Sequence, residues 1–272
     1  RQIPPFVTCG DKRGSVASPQ AMTERAYAPS ELSPSAGRAA VCSAGTSAAA
    51  RGTPLYTSVC SNTSAHTGAE RLPPAVVMDV DETVLDNSPY QARLVRDGAS
   101  YEDTTWDLWV AEKKAKAVPG VVDFAKAAAA RGVTILYISN RAEHLQAATI
   151  ANLKAEGLPV KDESVFLGLG TFVADCEQNG SEKLCRRKLA GQKYRVLMQF
   201  GDQLGDFVEI VANTPKDRDG LYGEYEDWFG ERWFMLPNPS YGSWEPALFN
   251  NAWGLPAGER RSLKHGALDY SK

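Results

Sequence analysis

Long apolar stretches are missing from this sequence of 272 residues. No run approaches the roughly 18 apolar residues that a membrane-spanning helix needs. Basic residues are not in excess either: the formal net charge is −3, whereas nucleic-acid-binding proteins usually present a basic surface. The five cysteines include no CxxC pair, which argues against a zinc site. The sequence therefore predicts a globular chain, long enough for one large domain, whose partner is not nucleic acid.

Two of the cysteines, Cys176 and Cys185, bracket a short polar loop that contains Gly and Asn and so allows a turn. A disulfide between them would suit an exported protein. Two free thiols are the alternative, and the spacing alone does not decide between the two.

Residues 1–71 differ in composition from residues 72–272. Ser, Thr, Ala, Pro and Gly make up 42 of the first 71 residues, and only 11 are Ile, Leu, Val, Met, Phe, Tyr or Trp. That proportion is too low to form a core. We therefore predict two regions: a poorly ordered, low-complexity segment at 1–71 and a folded domain at 72–272. The same composition also fits a coding segment that is read in the wrong frame or has been replaced.

From residue 72 onward, short apolar runs alternate with helical patterns. Such alternation predicts an α/β fold in which a parallel sheet is covered by helices on both faces. Ligands of such sheets bind beyond the carboxyl ends of the strands, so functional residues are expected directly after each strand. The expected strands are 75–80, 133–138, 165–167, 195–200 and 233–236, and the expected helices are 106–118, 121–131 and 142–156.

Asp79 and Asp81 stand at the end of the first expected strand. Alternate side chains of an extended segment point the same way, so the two carboxylates are predicted to lie close together. Carboxylates this close repel each other unless a cation or a shared proton separates them, and a hard divalent cation with oxygen ligands fits best. A solvated acidic loop is the alternative.

Polar residues also follow two later strands. Ser139 and Asn140 precede an expected helix, where they could cradle a phosphate or simply cap the helix. Asp202 and Asp206 are four residues apart and would share one face of a helical turn, while Gly201 would let the backbone approach a ligand. A basic run at 183–188 is most simply a surface helix.

Together these motifs resemble the class C acid phosphatases, a family of the haloacid dehalogenase (HAD) superfamily of DDDD phosphohydrolases that includes outer-membrane lipoprotein 5′-nucleotidases. The resemblance covers roughly residues 72–249 and implies the HAD fold, a Rossmann-like parallel sheet with a small helical cap. It is carried by the segments MDVDETVLDNSPY, WDLWVAEKKAKAVPGVVDF, YISNR, KLCRR, FGDQLGDF and LPNPSYGSWE.

The resemblance implies a role for each motif. Asp79 matches the nucleophile, which forms an aspartyl phosphate, and Asp81 matches the general acid and base. An Asp in the place of Asp81 argues against dehalogenation, because an alkoxide leaving group needs a proton and a halide does not. Ser139, Asn140 and Lys183 would bind the phosphoryl group, with Lys188 as the alternative lysine. Mg²⁺ would be held by the side chains of Asp79 and Asp202 and by the backbone carbonyl of Asp81, with waters completing the octahedron; Asp206 would act directly or through water.

The resemblance also implies the substrate and the setting. Trp106 and Tyr241 match residues that stack on a nucleobase, although both could be core aromatics. A nucleoside monophosphate is therefore the expected substrate, and broad phosphomonoester activity is the alternative. The family is exported, either to the periplasm or to the outer membrane, and it suggests a homodimer. A lipid anchor is expected to be lost or absent, because Arg1 is not a cysteine, unless the first eight residues are removed and Cys9 carries the lipid. The alternative function is a catalytically weak storage or ligand-binding protein on the same fold.

Overall fold

A five-stranded parallel sheet forms the centre of the fold in the computed structural model, which describes residues 71–177 and 180–269. Its strands are β1 (Pro74–Met78), β4 (Thr134–Ala142), β5 (Phe166–Leu169), β6 (Arg195–Gly201) and β7 (Trp233–Met235). Two further short strands, β2 (Leu85–Asp86) and β3 (Lys116–Ala117), pair antiparallel with each other. The strand order in the sheet is β5-β4-β1-β6-β7, and every neighbouring pair is parallel, so the expected α/β architecture is confirmed.

Helices and short 3₁₀ turns connect the strands. The helices are α1 (Ser88–Asp97), α2 (Asp103–Glu112), α3 (Val121–Ala130), α4 (Gln146–Ala155), α5 (Leu184–Lys193), α6 (Pro215–Glu224), α7 (Trp244–Ala247) and α8 (Ala257–Gly266). The 3₁₀ turns are Glu143–Leu145, Glu163–Val165, Leu204–Asp206 and Glu226–Trp228. None of the helices within the described ranges is long and apolar enough to cross a membrane.

Strand β1 lies in the middle of the sheet, between β4 and β6. Its residues 75–78 are all buried. Since successive side chains of a strand point to opposite faces, burial at four consecutive positions shows that both faces of the sheet are covered. The carboxyl ends of β4, β1 and β6 lie side by side, so the residues that follow these three strands meet at one edge.

The chain between β1 and α3 forms the accessory region, which contains α1, α2 and the β2–β3 pair. The expected helix at 106–118 is wrong in its second half, because α2 ends at Glu112 and Lys113 adopts a left-handed conformation with φ 56°. The following residues pair instead with the segment after β1, where the N–H of Val118 donates to the carbonyl of Val84 at 3.0 Å.

The expected helix at 142–156 also begins later than its pattern indicated. Strand β4 continues to Ala142, which pairs with Leu169 of β5 across an irregularity in the register. A 3₁₀ turn follows, and α4 begins only at Gln146. Ser139 and Asn140 therefore lie within a strand and not directly before a helix.

The disulfide between Cys176 and Cys185 is confirmed, with 5.6 Å between the Cα atoms. Cys185 is the second residue of α5 and is buried. The prediction for residues 1–71 lies outside the described residues except for Arg71.

Loss of this disulfide is expected to lower the free energy of unfolding by about 2–3 kcal/mol, because the bridge closes a short loop and restricts the unfolded chain. Denaturant unfolding of a Cys176→Ala/Cys185→Ala variant measures the loss. Dithiothreitol should destabilise the native chain and leave the variant unaffected. An equal response of both proteins to dithiothreitol would contradict the assignment.

Candidate active site

Asp79 follows β1 directly and lies at the centre of the site. Its backbone N–H donates to the carbonyl of Phe200 at 2.9 Å, which fixes it against β6, and it is only 6% exposed. The ammonium of Lys183 donates to the Asp79 carboxylate. Burial raises the pKa of Asp79 well above its ordinary value; Lys183 opposes the rise, and the neighbouring carboxylates add to it.

Three buried carboxylates meet at this point. Oxygen atoms of Asp79, Asp202 and Asp206 lie within 4.8 Å of one another. Lys183 also donates to Asp206 at 2.7 Å, so one ammonium partly offsets three acidic groups. Burial lowers the pKa of Lys183, but Asp206 and Asp79 together raise it above its ordinary value. Burial and the charge of Asp206 raise the pKa of Asp202 to about 6.

Asp206 is held by the backbone of the loop after β6. Its Oδ2 atom accepts from the N–H groups of Asp202 at 3.0 Å and Gln203 at 2.8 Å. A Cβ on Gly201 would lie 2.3 Å from Oδ2 of Asp206, so only glycine fits there. We expected Gly201 to admit a ligand; in the structure it makes room for the carboxylate of Asp206.

Two side-chain amides hold Asp202 through its Oδ2 atom. Gln203 and Asn238 donate to its Oδ2 atom, at 2.7 and 2.8 Å. Gln203 also donates to the carbonyl of Tyr241 at 3.3 Å, which ties the loop after β7 to the site. Sequence patterns could not identify these contacts, because Asn238 and Asp202 are 36 residues apart.

The side chain of Asp81 makes a different set of contacts. Its Oδ1 atom accepts from Nε and Nη2 of Arg141, at 3.0 and 2.8 Å, and from Asn87 at 2.9 Å. Ser139 donates to Oδ2 at 3.3 Å. Asp81 is therefore not one of the three carboxylates that cluster, and its metal role through the backbone carbonyl stays a prediction.

Ser139 and Asn140 lie at the end of β4. Ser139 is fully buried, and its Oγ atom accepts from the N–H of Arg141 at 3.1 Å. Asn140 is exposed, and its Oδ1 atom accepts from Nη2 of Arg186 at 2.8 Å. We expected a helix N-terminus to follow Ser139 and Asn140 directly and to help bind a phosphate; this is wrong, because α4 begins only at Gln146. The positive charge near these two residues comes instead from the side chains of Lys183 and Arg186.

The basic run at 183–188 is not the surface helix that we expected. Lys183 is the N-cap of α5, and both Arg186 and Arg187 are fully buried. Arg186 donates to the backbone carbonyl of Ser139, and burial lowers its pKa to about 10. Arg187 donates to the carbonyl of Gly205 at 2.8 Å. Arg186 thus holds the end of β4, and Arg187 holds the loop after β6. Lys188 does not line the site.

A cavity of about 620 Å³ opens over the acidic cluster. Trp106 lines it while packing against Tyr90, with 5.2 Å between ring centroids. Tyr241 lines it from the loop after β7 and donates to Glu82. Burial raises the pKa of Glu82 to about 8, and the charge of Asp81 adds to the rise. The other lining residues include Asp79, Asp81, Gln91, Leu94, Ser100, Tyr101, Asn140, Arg141, Lys183, Asp202, Gln203, Asp206, Ile210, Ser240 and Glu245.

Solved structures with a similar fold include the class C acid phosphatase from Bacillus anthracis. That enzyme is 37% identical, the match covers 74% of this chain and 81% of that one, and the TM-score is 0.65. A second structure of the same enzyme has tungstate bound and matches with 38% identity and the same coverage and TM-score.

Plant proteins are more distant relatives. The stem 28 kDa glycoprotein of Glycine max is 29% identical over 61% of this chain and 58% of its own length. Acid phosphatase 1 of Solanum lycopersicum is 24% identical over 61% of this chain and 57% of its own length. This chain therefore spans less than two thirds of these relatives.

The family model described as HAD superfamily, subfamily IIIB (acid phosphatase) matches residues 53–244. The match begins upstream of Leu72, where we expected the resemblance to start, so residues 53–71 are included in it. It covers well over half of the chain and contains every residue of the acidic cluster. The chain belongs to the acid phosphatases of HAD subfamily IIIB.

Proposed function

We propose that this chain is a Mg²⁺-dependent phosphomonoesterase that carries the phosphoryl group on Asp79. The observation that supports this most strongly is the position of Asp79: it is buried at the end of the central strand and in contact with Lys183. A carboxylate with a cationic partner at the base of a cavity can attack an electrophilic phosphorus while the ammonium balances the phosphoryl charge.

The reaction proceeds in two displacements. An oxygen of Asp79 forms a bond to phosphorus as the ester bond breaks, and the leaving oxygen takes a proton from Asp81. Water then attacks the aspartyl phosphate, Asp81 accepts its proton, and Asp79 is regenerated. Lys183 stabilises the phosphoryl oxygens through both steps, with Ser139 and Asn140 as the further phosphate-binding residues.

The carboxylates of Asp79, Asp202 and Asp206 fit a small divalent cation. All three are buried, their oxygens lie within 4.8 Å of one another, and the ammonium of Lys183 contacts Asp79 and Asp206. Oxygen ligands of this kind suit Mg²⁺, and the backbone carbonyl of Asp81 would add a further one. When bound, the cation would offset the negative charge that accumulates on the transferring phosphoryl group.

The substrate we propose is a nucleoside monophosphate. The tungstate in the related Bacillus anthracis structure is a tetrahedral oxyanion like phosphate and supports a phosphoryl site. The cavity extends from the acidic cluster to Trp106 and Tyr241, whose rings could stack on a base. Tyr241 is held by its hydrogen bond to Glu82, so its ring is already positioned before a substrate arrives.

The disulfide supports export to an oxidising compartment, since such bridges are rare in the cytosol. We propose a periplasmic or outer-membrane location on this basis. The homodimer stays a prediction.

Asp79→Asn should reduce phosphate release by about a thousandfold or more, because the amide is a poor nucleophile. The fold should persist, since the substitution removes a buried charge and keeps the shape. Phosphate release and thermal unfolding are the measurements. Asp123→Asn, on the exposed side of α3, is the control and should keep full activity. Retention of more than a few percent of activity by Asp79→Asn would contradict the mechanism.

Removal of divalent cations should abolish activity, and the stabilisation by Mg²⁺ should grow with pH. Folding raises the pKa of Asp202 to about 6 and that of Glu82 to about 8. A carboxyl with a raised pKa binds protons more tightly in the folded state, so the metal-free protein should lose stability as pH rises through these values. Mg²⁺ needs ionised ligands and should offset that loss.

Thermal unfolding between about pH 5 and pH 8, with EDTA or with Mg²⁺, measures this effect. Asp202→Asn should reduce the Mg²⁺-dependent shift, whereas Glu163→Gln at an exposed position should leave it unchanged. Activity after exhaustive dialysis against EDTA, or a Mg²⁺ shift that does not depend on pH, would count against the metal site.

Trp106→Ala should lower kcat/KM for a nucleoside monophosphate by about tenfold to a hundredfold, as stacking is worth about 1–3 kcal/mol per base. Trp106→Phe keeps a ring and should lose much less. Ribose 5-phosphate, which has no base, should lose much less than the nucleotide in Trp106→Ala, because the loss of the ring beside Arg141 affects both substrates alike and only the nucleotide loses stacking. Equal losses on both substrates would show that Trp106 supports the fold and does not bind a base.

A further inference from the structure

The two oxygens of the Asp81 carboxylate have different surroundings. Oδ1 accepts three N–H groups, two from Arg141 and one from Asn87, all at 3.0 Å or less. Within the described part of the chain, Oδ2 has one hydrogen bond, a longer one from the hydroxyl of Ser139 at 3.3 Å. A carboxylate oxygen offers about two lone-pair sites, so three donors leave no site for a proton on Oδ1.

Arg141 is itself held rigidly. Its side chain is 1% exposed, and its guanidinium lies over the ring of Trp106 at 5.4 Å. Nη1 donates to Thr149 of α4 at 3.3 Å, and Nη2 also donates to Oδ1 of Asn87 at 3.3 Å. The planar guanidinium thus donates four hydrogen bonds, and two of them are to Asp81.

Asn87 completes the same arrangement from the start of α1. It is fully buried, and its Oδ1 atom accepts from the indole N–H of Trp109 at 2.8 Å. The amide can therefore present its NH₂ group only towards Asp81 and its neighbours. Both residues that donate to Oδ1, Arg141 and Asn87, are thus held in place by residues that do not belong to the acidic cluster.

We propose that Arg141 is a positioning residue for Asp81, with Asn87 as its helper, and that Oδ2 of Asp81 delivers the proton to the leaving group. This inference rests on the proposed acid role of Asp81. As the bond from Asp79 to phosphorus forms, the ester bond breaks with both electrons on the ester oxygen. That oxygen takes the proton from Oδ2, and the new carboxylate charge of Asp81 lies against the guanidinium of Arg141.

A positioning role makes the effect of Arg141 depend on the leaving group. Nitrophenolate leaves without a proton, whereas an alkoxide needs one. Arg141→Lys keeps the positive charge but cannot make the two-pronged contact. Single-turnover measurements with enzyme in excess isolate the first displacement. We expect the ratio of rates for 4-nitrophenyl phosphate and an alkyl phosphate to rise at least about tenfold in Arg141→Lys.

Arg186→Lys is the matched control. Arg186 is an equally buried arginine next to the site, but its contacts within the described residues are to Ser139, Asn140, Ser181 and Glu182, and none is to Asp81. Its substitution should change both rates by the same factor and leave their ratio at the native value. Asn87→Ser removes the other donor to Oδ1 and provides a second test in case Arg141→Lys does not fold.

Asp81→Asn separates this inference from the proposed function. If Asp81→Asn leaves the ratio unchanged, the acid role of Asp81 is wrong. If Asp81→Asn raises the ratio but Arg141→Lys and Asn87→Ser do not, the acid role stands and the positioning role is overturned. If the positioning role is correct, the double variant Asp81→Asn/Arg141→Lys should show the same ratio as Asp81→Asn alone.

Discussion

The contact of Lys183 with Asp79 and Asp206 is the interaction on which the rest of the site depends. Three buried carboxylates at one sheet edge repel one another, and taking charges out of water is costly unless they are paired. Lys183 supplies the compensating charge from the N-cap of α5, a helix that the disulfide at Cys185 ties to the preceding loop. The position of Lys183 therefore depends on the sheet, on α5 and on the disulfide.

Three buried arginines hold the segments that surround the acidic cluster. Arg141 holds Asp81, Arg186 holds the end of β4, and Arg187 holds the loop after β6. Each one joins segments that are distant in sequence, and each has carbonyl or carboxylate oxygens as acceptors. Such fixed donors cost folding energy to bury, but they hold the reacting groups in place before a substrate binds.

The parts of the site that the sequence predicted are those governed by short-range rules. Asp79 and Asp202 were found because each follows an apolar strand, and parallel strands meet at one edge. The disulfide could be proposed from a turn-forming loop of suitable length. The contacts of Arg141 could not, because Asp81 is 60 residues away and arginines are mostly exposed. The pairing of β3 with β2 could not be predicted either, because the residues of β3 belong to a sequence segment with a helical pattern.

The central claim, that Asp79 carries the phosphoryl group, is tested most directly by trapping the acyl phosphate. Acid quenching during turnover, followed by borohydride reduction, converts a phosphorylated aspartate to homoserine, which mass spectrometry locates in a peptide. The account predicts homoserine at position 79 and nowhere else in the chain. Homoserine at another carboxylate, or none at position 79 under conditions of full turnover, would contradict it.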